Sequence, residues 1–161
     1  MTPVFQRIIS ETRGDCQSCC IASLLDLPYE QVPTWLADAY DRTSRNELRP
    51  DGSRWHLHHW FEEQTDWLRA RGWHLARIPD NLLTDYRALV GAYCLASMPS
   101  QALPGHSHAV VGQWVKAEEF RHQLAIVHDP NPNNKPYPMS VEASAVSFLI
   151  PLNPAQMRLI S

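Results

Sequence analysis

Apolar residues recur at helical spacing in the first half of the chain and give way to β-branched, aromatic runs in the second. The segment DCQSCCIASLLD, residues 15–26, carries Cys19, Ile21, Ala22, Leu24 and Leu25 near one helical stripe. Asp15 stands where an N-cap belongs, and Pro28 interrupts the pattern. A short second helix is expected over EQVPTWLADAY, with Pro33 near its start. Residues 41–53, DRTSRNELRPDGS, are polar and turn-rich and read as a loop. The segment RWHLHHWFEEQTDWLRARG reads as the longest helix. Leu57, Trp60, Phe61, Trp67 and Leu68 supply its apolar positions, and Gly72 suits the residue just past its end.

The pattern changes after Gly72. WHLARI, GAYCLASM, SHAVVGQWV, QLAIVHD and AVSFLIPL each read as strands. KAEEFRH reads as a turn between two of them, and DPNPNNKPYP as a loop. Helices first and mostly antiparallel strands afterwards imply an α+β domain rather than an alternating βαβ one. Neither a repeat nor an interdomain linker interrupts residues 1–161, which read as a single domain.

Composition narrows the function classes. With 44% apolar and 19% charged residues, a chain of this length folds around a real core. The net charge is −3 and no basic block stands out, which argues against nucleic acid or an anionic membrane as the main partner. No apolar run approaches the ~18 residues of a spanning helix. MTPVFQRIIS lacks the apolar stretch of an export signal, so a cytoplasmic protein with reduced thiols is expected. Of the four cysteines, Cys19 and Cys20 are adjacent and would need separate disulfide partners.

Cys16 falls in the first turn of the first helix, directly after Gly14-Asp15. Unpaired N–H groups and the macrodipole favour a thiolate there. The charge of Asp15 works against a thiolate beside it, which a nearby cationic imidazole has to outweigh. His108 opens the SHAVVGQWV strand, and Asp129 ends the next. If the two strands form a hairpin, the start of one lies beside the end of the other, and Asp129 comes near His108. A carboxylate in that place holds the ring and favours imidazolium. Gln6, ten residues before Cys16, can donate to an oxyanion together with the Cys16 N–H.

The run GDCQSCCIASLLDLPYEQVP, followed by HAVVG and then VHDPNP, resembles the papain-like cysteine peptidase superfamily. It is similar to small bacterial and phage-encoded members and to the leader-peptidase domains that process bacteriocin precursors. The resemblance covers roughly residues 3–133 and matches Gln6, Cys16, His108 and Asp129-Pro130 to the family's site. Gln17 departs from the Gly that often follows the cysteine in leader peptidases. The resemblance implies a papain-like fold and a cysteine hydrolase acting on a polypeptide or other amide substrate, with no metal or organic cofactor.

Other readings stay open at this level. The same superfamily includes acyltransferase and transglutaminase-like members, which use the triad with another acceptor. Cys16-Gln17-Ser18-Cys19 is also a C-x-x-C at a helix start, the spacing of a thiol–disulfide exchanger. A non-catalytic binding module would keep the fold without the chemistry. His106 and His128 compete with His108; the apolar AVVG that follows His108 anchors it in the sheet, whereas His106 sits among Pro, Gly and Ser. Asp129 could be a turn-former before Pro130, and Cys16, like Cys19, Cys20 and Cys94, a small buried residue. His56, His58 and His59 form an HxHH cluster for which no carboxylate or cysteine partner is evident, so they read as surface histidines. The loops at 41–53 and 99–107 are expected to flank the cleft.

Overall fold

A computed structural model describes residues 1–10, 13–78, 89–118, 121–137 and 143–153. Three helices come first: α1 (Cys16–Leu24), α2 (Trp35–Ser44) and α3 (His59–Ala70), with a 3-10 turn at Tyr29–Gln31. Five strands follow: β1 (Trp73–Ile78), β2 (Tyr93–Pro99), β3 (Ser107–Glu118), β4 (Arg121–His128) and β5 (Ala145–Pro151). They form one sheet in the order β1-β5-β2-β3-β4, every neighbouring pair antiparallel. The helices pack against this sheet, so the expected α+β arrangement holds.

The α1 helix lies at the centre. Ser18 to Ser23 are all buried, because this helix faces other structure on both sides. Ile21 and Ala22 pack with Val32, Trp35 and Leu68 of the helical side. Cys20, with Cys16 and Leu24, packs on Leu95, Ala109 and Val111 of the sheet. The two serines that this burial encloses are satisfied: Ser18 Oγ donates to the Pro33 carbonyl at 2.7 Å, and Ser23 Oγ to Cys19 O at 2.9 Å. The opposite face of the sheet buries Ala96, Met98 and Val110 in one cluster and Cys94, Val146 and Phe148 in another, as period-2 alternation requires. Cys19, Cys20 and Cys94 are all core residues, and all four cysteines are free thiols.

Several boundaries differ from the sequence pattern, each for a tertiary reason. The α2 helix runs four residues into the expected loop, to Ser44. Arg42 on that extra turn donates to Glu63 of α3 at 2.9 Å and lies 4.6 Å from the Trp55 ring centroid. Pro33 stands outside α2, just before its N-cap position at Thr34. The α3 helix starts at His59 rather than Arg54, because Leu48 pairs with Arg54 and the Trp55 N–H donates to Glu47 O at 3.0 Å. Gly72 has φ +80° just past α3, a left-handed conformation that glycine adopts without a Cβ penalty. The turn expected at KAEEFRH is shorter: β3 extends to Glu118 and β4 begins at Arg121, and residues 119–120 lie outside the described residues.

Gly112 of β3 is a packing requirement. A Cβ there would lie 2.4 Å from Leu124 Cδ1, 3.0 Å from Leu124 Cγ and 3.3 Å from Cys94 Sγ. The Leu124 side chain cannot move aside by its tip alone. Gly112→Ala is expected to lower unfolding stability by ~1–3 kcal/mol, read from the urea midpoint. An unchanged midpoint would mean that the β3–β4 packing is looser than this.

Candidate active site

His108 is the second residue of β3 and is only 6% exposed. Its Nε2 bonds Asp129 Oδ1 at 2.7 Å. The hairpin of β3 and β4 brings the start of one strand beside the end of the other, with a bulge near that end. Gly112 pairs with Ile126 but Val111 with His128, so β4 carries one extra residue, Val127. Asp129 follows directly on the last residue of β4.

The Asp129 carboxylate is held from three sides. Oδ1 also accepts the Asn131 N–H at 2.8 Å, and Oδ2 accepts Asn134 Nδ2 at 2.9 Å. Asn131 is itself buried, donates Nδ2 to Asn134 Oδ1 at 3.0 Å and accepts the Asn133 N–H at 3.0 Å. The DPNPNN loop is thus a cradle for the carboxylate. Sequence reasoning treated it as a turn and missed Asn131 and Asn134, although Asx residues just after the acid are a signal of this kind. Gln101 Nε2 donates to Lys135 O at 2.6 Å and its Oε1 accepts the Lys135 N–H at 3.0 Å, which ties the 99–107 loop to the same region. The 41–53 stretch is tied instead to α3, through Arg42–Glu63 and Arg49–Glu62.

Cys16 is the first residue of α1 and is half-buried. Its thiol lies close enough to the His108 ring to raise the ring's pKa. With Nε2 given to Asp129, Nδ1 is the nitrogen left for the sulfur. Burial alone would depress the His108 pKa. The hydrogen bond to Asp129, then the nearby Cys16 thiol, outweigh it and raise the ring to about 9. For Asp129, burial works upward, but the bonds from His108, Asn134 and the Asn131 N–H hold its carboxyl below the usual range. Burial drives the Cys19 and Cys20 thiols strongly upward, and that of Cys94 to about 12.

Gln6 lies between the two halves of the site. Its backbone N–H donates to Pro130 O at 2.8 Å, next to Asp129. Its Nε2 would be 3.9 Å from a Cβ on Gly14, two residues before Cys16. One hydrogen of Nε2 goes to Ile8 O at 2.7 Å, which leaves the second. Asp15 occupies the N-cap position of α1 but its side chain makes no cap bond, contrary to expectation. The carboxylate turns instead to the N-terminal segment and to Tyr29, which offer it three donors. On the other flank Gln17 Nε2 donates to the buried Gln64 Oε1 at 3.0 Å, so α3 also reaches the first turn of α1.

The competing histidines are placed elsewhere. His106 is exposed, and His128 Nε2 bonds Val4 O at 2.9 Å. In the HxHH cluster only His59 belongs to α3. A carboxylate does approach: His58, His59 and Glu62 bring potential ligand atoms within 4.8 Å of one another. Two of these groups are committed to other partners, however. His59 Nδ1 accepts the His56 N–H at 3.0 Å, which puts the proton on Nε2, and Glu62 pairs with Arg49 at 3.1 Å. Burial, then the Arg49 charge, keeps His59 below its ordinary pKa. Its ring packs edge-on against Trp55, 5.4 Å between centroids.

No helix among the described residues is long and apolar enough to cross a membrane. Comparison of the chain with protein-family models, curated proteins and solved structures found no match.

Proposed function

We propose that the chain is a papain-like cysteine hydrolase that cleaves an amide bond, with Cys16 as nucleophile, His108 as acid and base, and Asp129 as the group that orients the ring. The observation that carries this reading is the 2.7 Å bond from His108 Nε2 to Asp129, which leaves the other ring nitrogen to a cysteine at a helix start. His108 first takes the Cys16 proton. The thiolate attacks the carbonyl carbon, forming the C–S bond and moving the carbonyl π electrons to oxygen. Gln6 Nε2–H and the Cys16 N–H stabilise that oxyanion. Collapse breaks the C–N bond, and His108 gives its proton to the leaving amine. Water then attacks the thioester carbonyl and passes a proton to His108, and the C–S bond breaks, which releases the carboxylic acid and frees Cys16 for another cycle. A different acceptor in this last step would make the site an acyltransferase.

The thiol–disulfide reading has less support. Its second sulfur, Cys19, is 0% exposed, and burial together with Asp15 disfavours its thiolate.

The test is iodoacetamide labelling at neutral pH, with mass spectrometry to locate the adduct. Cys16 is expected to react first of the four cysteines, and His108→Ala is expected to slow it. A Cys16 that alkylates no faster than a cysteine in the unfolded chain, with or without His108, would overturn the proposal.

A further inference from the structure

Gln6 lies in a segment, residues 1–10, that has no helix or strand ladder to hold it. An oxyanion donor misplaced by ~1 Å can lose ~10²-fold in rate, so something else must fix it. The two amides that follow Gln6 both end on one carboxylate: Arg7 N–H donates to Asp15 Oδ2 at 3.1 Å and Ile8 N–H to Asp15 Oδ1 at 3.2 Å. The Asp15 N–H in turn faces Ile8 O at 3.4 Å, the carbonyl that accepts Gln6 Nε2. Asp15 is 1% exposed, and Tyr29 Oη donates to its Oδ2 at 2.7 Å. Burial, then the bond to Asp15, raises the Tyr29 pKa, which keeps the phenol a donor. Arg7 stacks over the Tyr29 ring at 4.0 Å and pairs with Glu30.

A charge enclosed in this way is costly to leave uncompensated, and the N-cap role that would explain an Asp before α1 is unfilled. From this geometry we infer that Asp15, held by Tyr29, is a positioning residue: it fixes the Gln6 turn against the start of α1 so that the Gln6 amide faces the oxyanion formed at Cys16. The inference rests on the hydrolase reading and deepens it. It links the residue just before the nucleophile to the donor ten residues upstream.

Two reactions of the same sulfur separate positioning from nucleophilicity. Alkylation by iodoacetamide displaces iodide and builds no oxyanion. Acylation by p-nitrophenyl acetate passes through a tetrahedral oxyanion and releases p-nitrophenolate as a burst, with Cys16→Ser as the blank. Gln6→Ala is expected to lower the ratio of acylation to alkylation by ~10²–10³. Asp15→Asn is expected to lower the same ratio by ~10-fold or more, while alkylation is retained or rises because a neutral side chain no longer opposes the thiolate. Tyr29→Phe, which keeps the charge, is expected to lower the ratio less. In the Gln6→Ala background Asp15→Asn should lower it no further.

An unchanged ratio in Asp15→Asn overturns the inference, as does an undiminished effect once Gln6 is gone. Should Asp15→Asn fail to fold, Tyr29→Phe alone decides by the same criterion. Failure of the hydrolase reading looks different: slow, His108-independent alkylation of Cys16 in the unmodified chain.

Discussion

His108→Ala is expected to cut acylation of Cys16 by p-nitrophenyl acetate by ~10²–10⁴-fold at pH 7. The ring lies near Cys16 while its Nε2 is fixed by a carboxylate. Removing it also strips Asp129 of its charged partner in a mostly buried place, where a lost bond to a charge costs more than one between neutral groups. His108→Gln is therefore the companion variant, since its amide keeps a donor near Asp129. Both should lose acylation, and the Gln form should keep more stability. Cys19→Ala is expected to stay near the parent rate, because Cys19 is buried against the Asp15 side of α1 and takes no part in the transfer. Equal losses in Cys16→Ala and Cys19→Ala would replace the hydrolase with a disulfide exchanger. A His108→Ala protein that acylates at the parent rate would remove the imidazole from the chemistry altogether.

How much of this was legible in the chain differs by residue. The strand at SHAVVGQWV and the hairpin that pairs it with QLAIVHD follow from β-branched patterning, and with them the approach of Asp129 to His108. The extra residue Val127 does not, because a bulge leaves no mark in hydrophobic alternation that a single sequence can display. Cys16 at a helix start was legible from the apolar stripe behind it, because that stripe packs α1 between Leu68 on one side and Val111 on the other. Asp15 was misread for the opposite reason. Local capping statistics favour Asp before a helix, but two amides of a distant segment and a phenol offer more bonds than the helix N-terminus does. The same competition moved the ends of α2 and α3. Arg42, Arg49 and Trp55 make long-range contacts that no local window contains. Asn131 and Asn134 lie between: their turn character was plain, but not that the turn closes on a carboxylate.

The proton on His108 is expected to persist to about pH 9 in the native protein, and Asp129→Asn is expected to move that titration to lower pH. The sign follows from three influences on the ring: burial favours the neutral form, whereas the bond to Asp129 and the nearby Cys16 favour the cation more strongly. Asn in place of Asp keeps an oxygen for Nε2 but removes the charge, so burial gains weight. A ring raised above its unfolded value near 6.5 stabilises the fold fully below that pH, and this contribution is lost as pH rises through about 9. Asp129 runs the other way: its depressed carboxyl contributes above the unfolded value and loses that contribution as pH falls through the folded one. Unfolding stability should therefore decline between about pH 6.5 and 9, and less steeply in Asp129→Asn. Asn134→Ala, which removes the amide on Oδ2, should give an intermediate displacement. Histidine-labelled NMR spectra followed with pH report the ring directly, with His108→Gln identifying its signal, and urea midpoints across the same range report the linkage. A His108 that titrates near its ordinary value, unmoved by Asp129→Asn, would mean that the 2.7 Å contact is not maintained in solution, and the orienting role of Asp129 would go with it.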